Sequence, residues 1–139
     1  MEFEELPQAL QKTFLDLLKE HAGVCAEMLQ EGHGLEPMMR INGGAEPVLL
    51  SLQPQDWVVK MDRMMEKAKE ILRTRKFETA ALSYTSSSVL KKSEALVTFL
   101  FHKSGAAVLF FTAYHFSGLF RKKLVLDRHL IGEVFENAL

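Results

Sequence analysis

The sequence predicts an α+β fold, a single domain over residues 1–139 with two main helices and an antiparallel sheet. Three patterns indicate this class. Two long apolar runs flank a Ser104-Gly105 turn, a shorter pair of runs flanks Gly43-Gly44, and two segments repeat apolar residues at helical spacing. The sheet is therefore expected to contain two hairpins and a linking strand, with room for a short C-terminal helix.

The first helix is predicted from about Leu6 to Gln30. Pro7 is tolerated in the first turn of a helix, and Gly32 and Gly34 are typical of a helix end. The residues at helical spacing form one apolar stripe: Leu10, Phe14, Leu17, Leu18, His21, Cys25 and Met28.

The short hairpin pairs residues Glu36 to Asn42 with residues Glu46 to Leu52. In this register Met39 and Ile41 share a sheet face with Val48 and Leu50. Pro37 and Pro47 cannot donate to a ladder, so these strands are expected at the sheet edge.

A second helix is predicted after the Pro54-Gln55-Asp56 turn, followed by a strand over Phe77 to Thr85 and a loop over Thr85 to Ser93. The apolar face of this helix contains Trp57, Met61, Met64, Met65, Ala68, Ile71 and Leu72.

The long hairpin is predicted with a two-residue turn, which places Phe101 opposite Val108 and Phe99 opposite Phe110. Both of its faces are apolar, and a sheet with one face in water would show polar residues on that side. If the helices pack on one face, a second copy of the chain is the simplest cover for the other. We therefore expect a homodimer.

The C-terminal region is predicted as a short strand over Phe120 to Leu126, with Asp127 as the N-cap of a helix ending near Ala138.

Composition excludes some classes of partner. The 17 basic and 18 acidic residues give a net charge of −1, which provides no field for nucleic acid or an anionic membrane. The N-terminal residues lack the pattern of a secretory signal, and the single Cys25 is typical of a reduced core thiol. We expect a cytoplasmic protein that binds neither nucleic acid nor membrane.

The most site-like residues lie between the first helix and the first hairpin. His33 is flanked by glycines and followed by Glu36 and Arg40, a set that could bind a ligand, with Arg40 holding an anion. The alternative is that the glycines only end the helix. His102 and His115 are predicted on one hairpin face with Glu94 opposite His115, an arrangement expected to be structural.

No zinc-ligand spacing, phosphate-binding glycine loop or Gly-x-Ser-x-Gly motif occurs, so neither a metal nor another cofactor is expected. Whether the protein is an enzyme stays open. The first hypothesis is a protein that acts by association, as a homodimer, with an unknown protein partner or small molecule. The alternative is a small-ligand-binding protein or hydrolytic enzyme that uses His33, Glu36 and Arg40.

Overall fold

The computed structural model describes residues 1–30, 37–52, 61–87, 94–119 and 123–139. A short 3-10 helix at Phe3–Glu5 precedes two α-helices and six strands: α1 (Gln8–Gln30), β1 (Met38–Asn42), β2 (Val48–Ser51), α2 (Met61–Arg73), β3 (Thr79–Ser87), β4 (Glu94–His102), β5 (Ala107–Ser117) and β6 (Lys123–Phe135). The strands form one antiparallel sheet in the order β2-β1-β3-β4-β5-β6. The predicted α+β class, with two helices and an antiparallel sheet, is confirmed.

Helix α1 covers one face of the sheet, which we call the α1 face. Its buried Phe14, Leu17 and Leu18 pack against Leu100 and Phe110. Most of the predicted stripe is buried, although Met28 is exposed and the neighbouring Leu29 takes its place against the sheet.

Helix α2 covers part of the opposite face, the α2 face. Its Ala68 and Leu72 pack in one cluster with Ala80, Leu82 and Phe101. Successive residues of a strand point to opposite faces, and Ala81 and Leu100 belong to the cluster under α1. The expectation that both helices pack on one face is therefore wrong, and the uncovered face that suggested a homodimer is partly covered by α2.

The first hairpin has the predicted register. Met39 pairs with Leu50 and Ile41 with Val48, so the shared apolar face is confirmed. The strand predicted over Phe77 to Thr85 is observed as β3, displaced by two residues. The predicted start of the second helix, including Trp57, and residues 88–93 of the predicted loop lie outside the described residues.

The long hairpin is present, but its register differs by one residue from the prediction. Phe101 pairs with Ala107 and Phe99 with Leu109, because the strands are joined by three residues rather than two. The His102 N–H donates to the Ala106 carbonyl oxygen at 2.9 Å, and Gly105 has a φ of +95°. Such a left-handed glycine is typical of three-residue hairpin loops, and a one-residue slip moves one strand's side chains to the other face.

All the residue pairs predicted for the long hairpin are therefore wrong. Phe99 packs with the α2 cluster and Phe110 with the α1 cluster. His102 contacts Phe14 edge to face on the α1 face, whereas the alternation of β5 places His115 on the α2 face. Glu94 pairs with Tyr114 rather than with His115.

The predicted C-terminal helix is absent, and its residues extend a strand to 13 residues. Strand β6 contains two extra residues relative to β5, one within Asp127-Arg128 and the other at Gly132. These bulges stretch the spacing of the residues on the α1 face to 2, 3, 2 and 3: Leu124, Leu126, His129, Ile131 and Val134. This spacing resembles that of a helix, so the sequence pattern predicted a helix where the structure has a strand.

Candidate functional site

Arg40 is the one residue of the predicted site that the structure describes. Its Nη2 lies 2.7 Å from Oε1 of Glu20, and only 13% of its side chain is exposed. Arg40 is therefore held against α1 by an ion pair that the sequence did not indicate. His33 and Glu36 lie outside the described residues.

A buried polar cluster lies beside Arg40, between α1 and the sheet. His21 Nε2 is 2.7 Å from Ser83 Oγ, and the Ser83 hydroxyl donates to Thr98 Oγ1 at 3.2 Å. His21 Nδ1 and Arg40 Nη1 are buried and have no partner among the described residues.

The electrostatics of this cluster keep His21 neutral. Burial, followed by the charge of Arg40, lowers the pKa of His21 from 6.5 to about 4. Burial also raises the pKa of the Cys25 thiol to about 11, although a hydrogen bond to Ser83 opposes the shift. The predicted reduced core thiol is the state that this environment favours.

The pairing of His21 with Ser83 does not have the arrangement of a hydrolytic site. In such a site the serine hydroxyl faces the substrate, whereas the Ser83 hydroxyl is hydrogen-bonded to His21 and Thr98 inside the core. His21, Ser83 and Thr98 are all within 1% of complete burial, so a substrate has no access to them. We interpret the cluster as structural.

The edge of the sheet at β6 is the surface best suited to an interaction. Among the described residues β6 pairs with β5 alone, so its other edge lacks a strand partner. Val125, Leu130 and Ile131 are exposed on this strand, and the exposed Phe111 lies beside Leu130. A long edge strand with exposed apolar side chains is a template for pairing with another strand.

One end of this edge is already capped. The Leu124 N–H donates to Oε1 of Gln30, the last residue of α1, at 2.7 Å. At the other end, the bulge at Gly132 interrupts the regular alternation. The regular part of the free edge is therefore the segment between Val125 and Ile131.

The bulge at Asp127-Arg128 divides this segment into two halves that match each other. Val125 and Leu130 pair with β5 residues of the α2 face, His115 and Phe111. Leu126 lies in the cluster beneath α1, and His129 contacts Thr112 on the same face. Without the extra residue, Val125 and Leu130 would point to opposite faces.

Comparison with protein-family models, curated proteins and solved structures finds no match for this chain. The interpretation of the β6 edge therefore rests on its geometry.

No group of three or more His, Cys, Asp or Glu side chains in the described part of the chain is arranged to bind a metal ion. None of the described helices has the length and apolar character needed to cross a bilayer.

The sequence analysis missed the β6 edge because the two bulges hid the alternation of the strand. A signal was nevertheless present: the apolar residues of the run from Lys123 to Phe135 occur in closely spaced groups, interrupted by Asp127-Arg128 and by Gly132. An isolated glycine inside a strand pattern is a typical sign of a bulge.

Proposed function

We propose that this protein acts by association, and that its first partner is a second copy of itself paired along β6. The observation that carries the proposal is the self-complementarity of this strand about the point between Asp127 and Arg128. An antiparallel pair of β6 strands in that register keeps α1-face residues beside α1-face residues and α2-face residues beside α2-face residues.

The matched pairs are both apolar and charged. Val125 meets Leu130 of the second copy, and Asp127 meets Arg128, each contact occurring twice because the pair is symmetric. Apolar and opposite-charge pairs across strands each contribute about 0.2–1 kcal/mol. Registers shifted by one residue in either direction place α1-face side chains opposite α2-face side chains along this segment.

Ligand binding at the junction of α1 and the first hairpin is the weaker hypothesis. Arg40 is the only described member of that set, and its guanidinium is already paired with Glu20. A paired and largely buried arginine has little surface to offer an anion.

The first test is substitution of Leu130 by lysine, with Leu49→Lys as a matched control. Both leucines lie on edge strands and have similar exposure, 55% for Leu130 and 58% for Leu49. We expect Leu130→Lys to weaken the dimer at least about tenfold, because two apolar contacts are lost, and Leu49→Lys to have no effect. Sedimentation equilibrium at micromolar concentration measures both dissociation constants.

A charge exchange tests the register. Asp127→Arg places four arginines at the symmetry axis and should weaken association about tenfold. Adding Arg128→Asp in the same chain restores the opposite charges and should restore the dimer. A monomeric wild-type protein would contradict the proposal, and a double variant as weak as the single one would contradict the register.

A further inference from the structure

A cavity of about 350 Å³ lies on the α2 face, apart from the β6 edge. Its floor contains Phe99, Phe101 and Ala107, and its walls include Lys69 of α2 together with Phe135 and Ala138. Its size lies near the lower end of the range for small-molecule sites, roughly 300–1,000 Å³, which corresponds to a ligand with one or two rings.

The cavity is formed by the way the chain leaves β6. Asn137 has a φ of +43°, a left-handed conformation that asparagine tolerates and that turns the chain back toward the sheet. The next residue, Ala138, donates its N–H to the Gly105 carbonyl oxygen at 2.8 Å. This bond fixes the wall opposite α2, so the cavity exists without a ligand.

The floor selects for an aromatic group. Phe99, Phe101 and Phe135 present three rings, and the small side chain of Ala107 leaves space above the sheet. Aromatic rings pack favourably in edge-to-face or offset arrangements, which adds to the gain from burial.

The ammonium group of Lys69 is available to bind a polar group of a ligand in the cavity. It is half-buried at the wall, and the ion pairs found among the described residues use Arg40, Lys103 and His115 instead. A half-buried ammonium beside an apolar floor favours one anionic oxygen group as its partner. Glu136 also lines the cavity, and its negative charge disfavours a ligand with a second anionic group.

We infer that this cavity binds a small aromatic monocarboxylate, with the ring on Phe99 and Phe101 and the carboxylate at Lys69. The inference is independent of the proposed association, because the cavity shares no residue with the segment from Val125 to Ile131.

The test uses 3-phenylpropanoate and its neutral amide as probes, with binding measured by calorimetry. We expect the carboxylate to bind the wild-type protein about tenfold more tightly than the amide. Lys69→Gln should remove that difference and leave amide binding unchanged. Lys67→Gln, an exposed lysine on the same helix that does not line the cavity, is the matched control and should behave as wild type.

Ala138→Phe should fill the cavity and abolish binding of both probes. The result with Lys69→Gln decides the matter if Ala138→Phe does not fold, because Lys69 lies outside the buried core. The inference is overturned if neither probe binds at millimolar concentration or if both bind equally. Equal losses in Lys69→Gln and Lys67→Gln, or a folded Ala138→Phe with wild-type affinity, would also overturn it.

Discussion

At the scale of single residues, the most informative side chain is His21. It is fully buried between α1 and the sheet, is hydrogen-bonded to Ser83 and lies near the Arg40 charge. Its position on the apolar stripe was evident from the sequence. Its partner Ser83, and Thr98 to which Ser83 is bonded, could not be found from the sequence, because they come from two strands that only the sheet brings together.

His21 makes stability depend on pH. Its pKa is about 4 in the folded state, below the usual 6.5, so below pH 6.5 the unfolded state binds a proton that the folded state does not. Stability is therefore lost as pH falls from 6.5 toward 4, by about 3 kcal/mol, and the loss levels off at lower pH. Urea denaturation of the wild type and His21→Gln at pH 7, 5 and 4 would measure this loss.

Comparison with the variant separates the contribution of His21 to the pH dependence of stability from that of the carboxylates, which titrate in the same pH range. His21→Gln should lose about 3 kcal/mol less than the wild type between pH 7 and pH 4. Parallel pH profiles for the two proteins would show that His21 does not carry the effect.

At the scale of elements, hydrophobic pattern was sufficient where strands and helices are regular. It predicted α1, the register of the first hairpin and the pairing of two long apolar strands. The pattern was insufficient where one additional residue shifts the pairing of two strands. This occurs at the Lys103–Gly105 loop and at the two bulges of β6. Pattern records which residues alternate, but the number of residues in a loop or bulge is set by backbone conformation.

The ring of Phe111 lies close to the Gly132 bulge and leaves no room for a side chain there. A Cβ at this position would lie 2.4 Å from Cε2 of Phe111 and 3.2 Å from Cγ of Leu109. We expect Gly132→Ala to reduce the free energy of unfolding by about 1–2 kcal/mol, because the ring must leave the glycine. Chemical denaturation would measure the change.

Two further variants make this prediction specific. In a Phe111→Ala background, Gly132→Ala should cost much less, since the main obstruction is gone. Gly23→Ala, in α1 with nothing within 4 Å of the added Cβ, should instead stabilise the protein by about 0.5–1 kcal/mol. Equal costs of Gly132→Ala in both backgrounds would rule out the contact with Phe111.

At the scale of the whole molecule, the four strands from β3 to β6 are neighbours both in sequence and in the sheet. The first hairpin joins this meander through β1 and β3, with α2 between them in the sequence. The helices thus cover opposite faces and leave the β6 edge at one end of the sheet. The sequence suggested that an exposed face of the sheet forms the dimer contact, whereas the association proposed from the structure uses the exposed edge at β6.

Association through β6 should make thermal stability depend on protein concentration. Pairing stabilises only the folded state, so a hundredfold increase in concentration should raise the Tm by about 4 °C. Scanning calorimetry at micromolar concentrations measures the shift. Leu130→Lys should show a smaller rise in Tm over the same concentration range, and a wild type whose Tm does not change with concentration would contradict the proposal.

The burial of Cys25 has a consequence for kinetics. It is the only thiol in the chain, it is completely enclosed between α1 and the sheet, and its pKa is raised to about 11. A thiol reagent can reach it only when α1 separates from the sheet. The rate of thiol modification therefore reports how often α1 separates from the sheet, so Cys25 is a built-in probe of the opening of this helix.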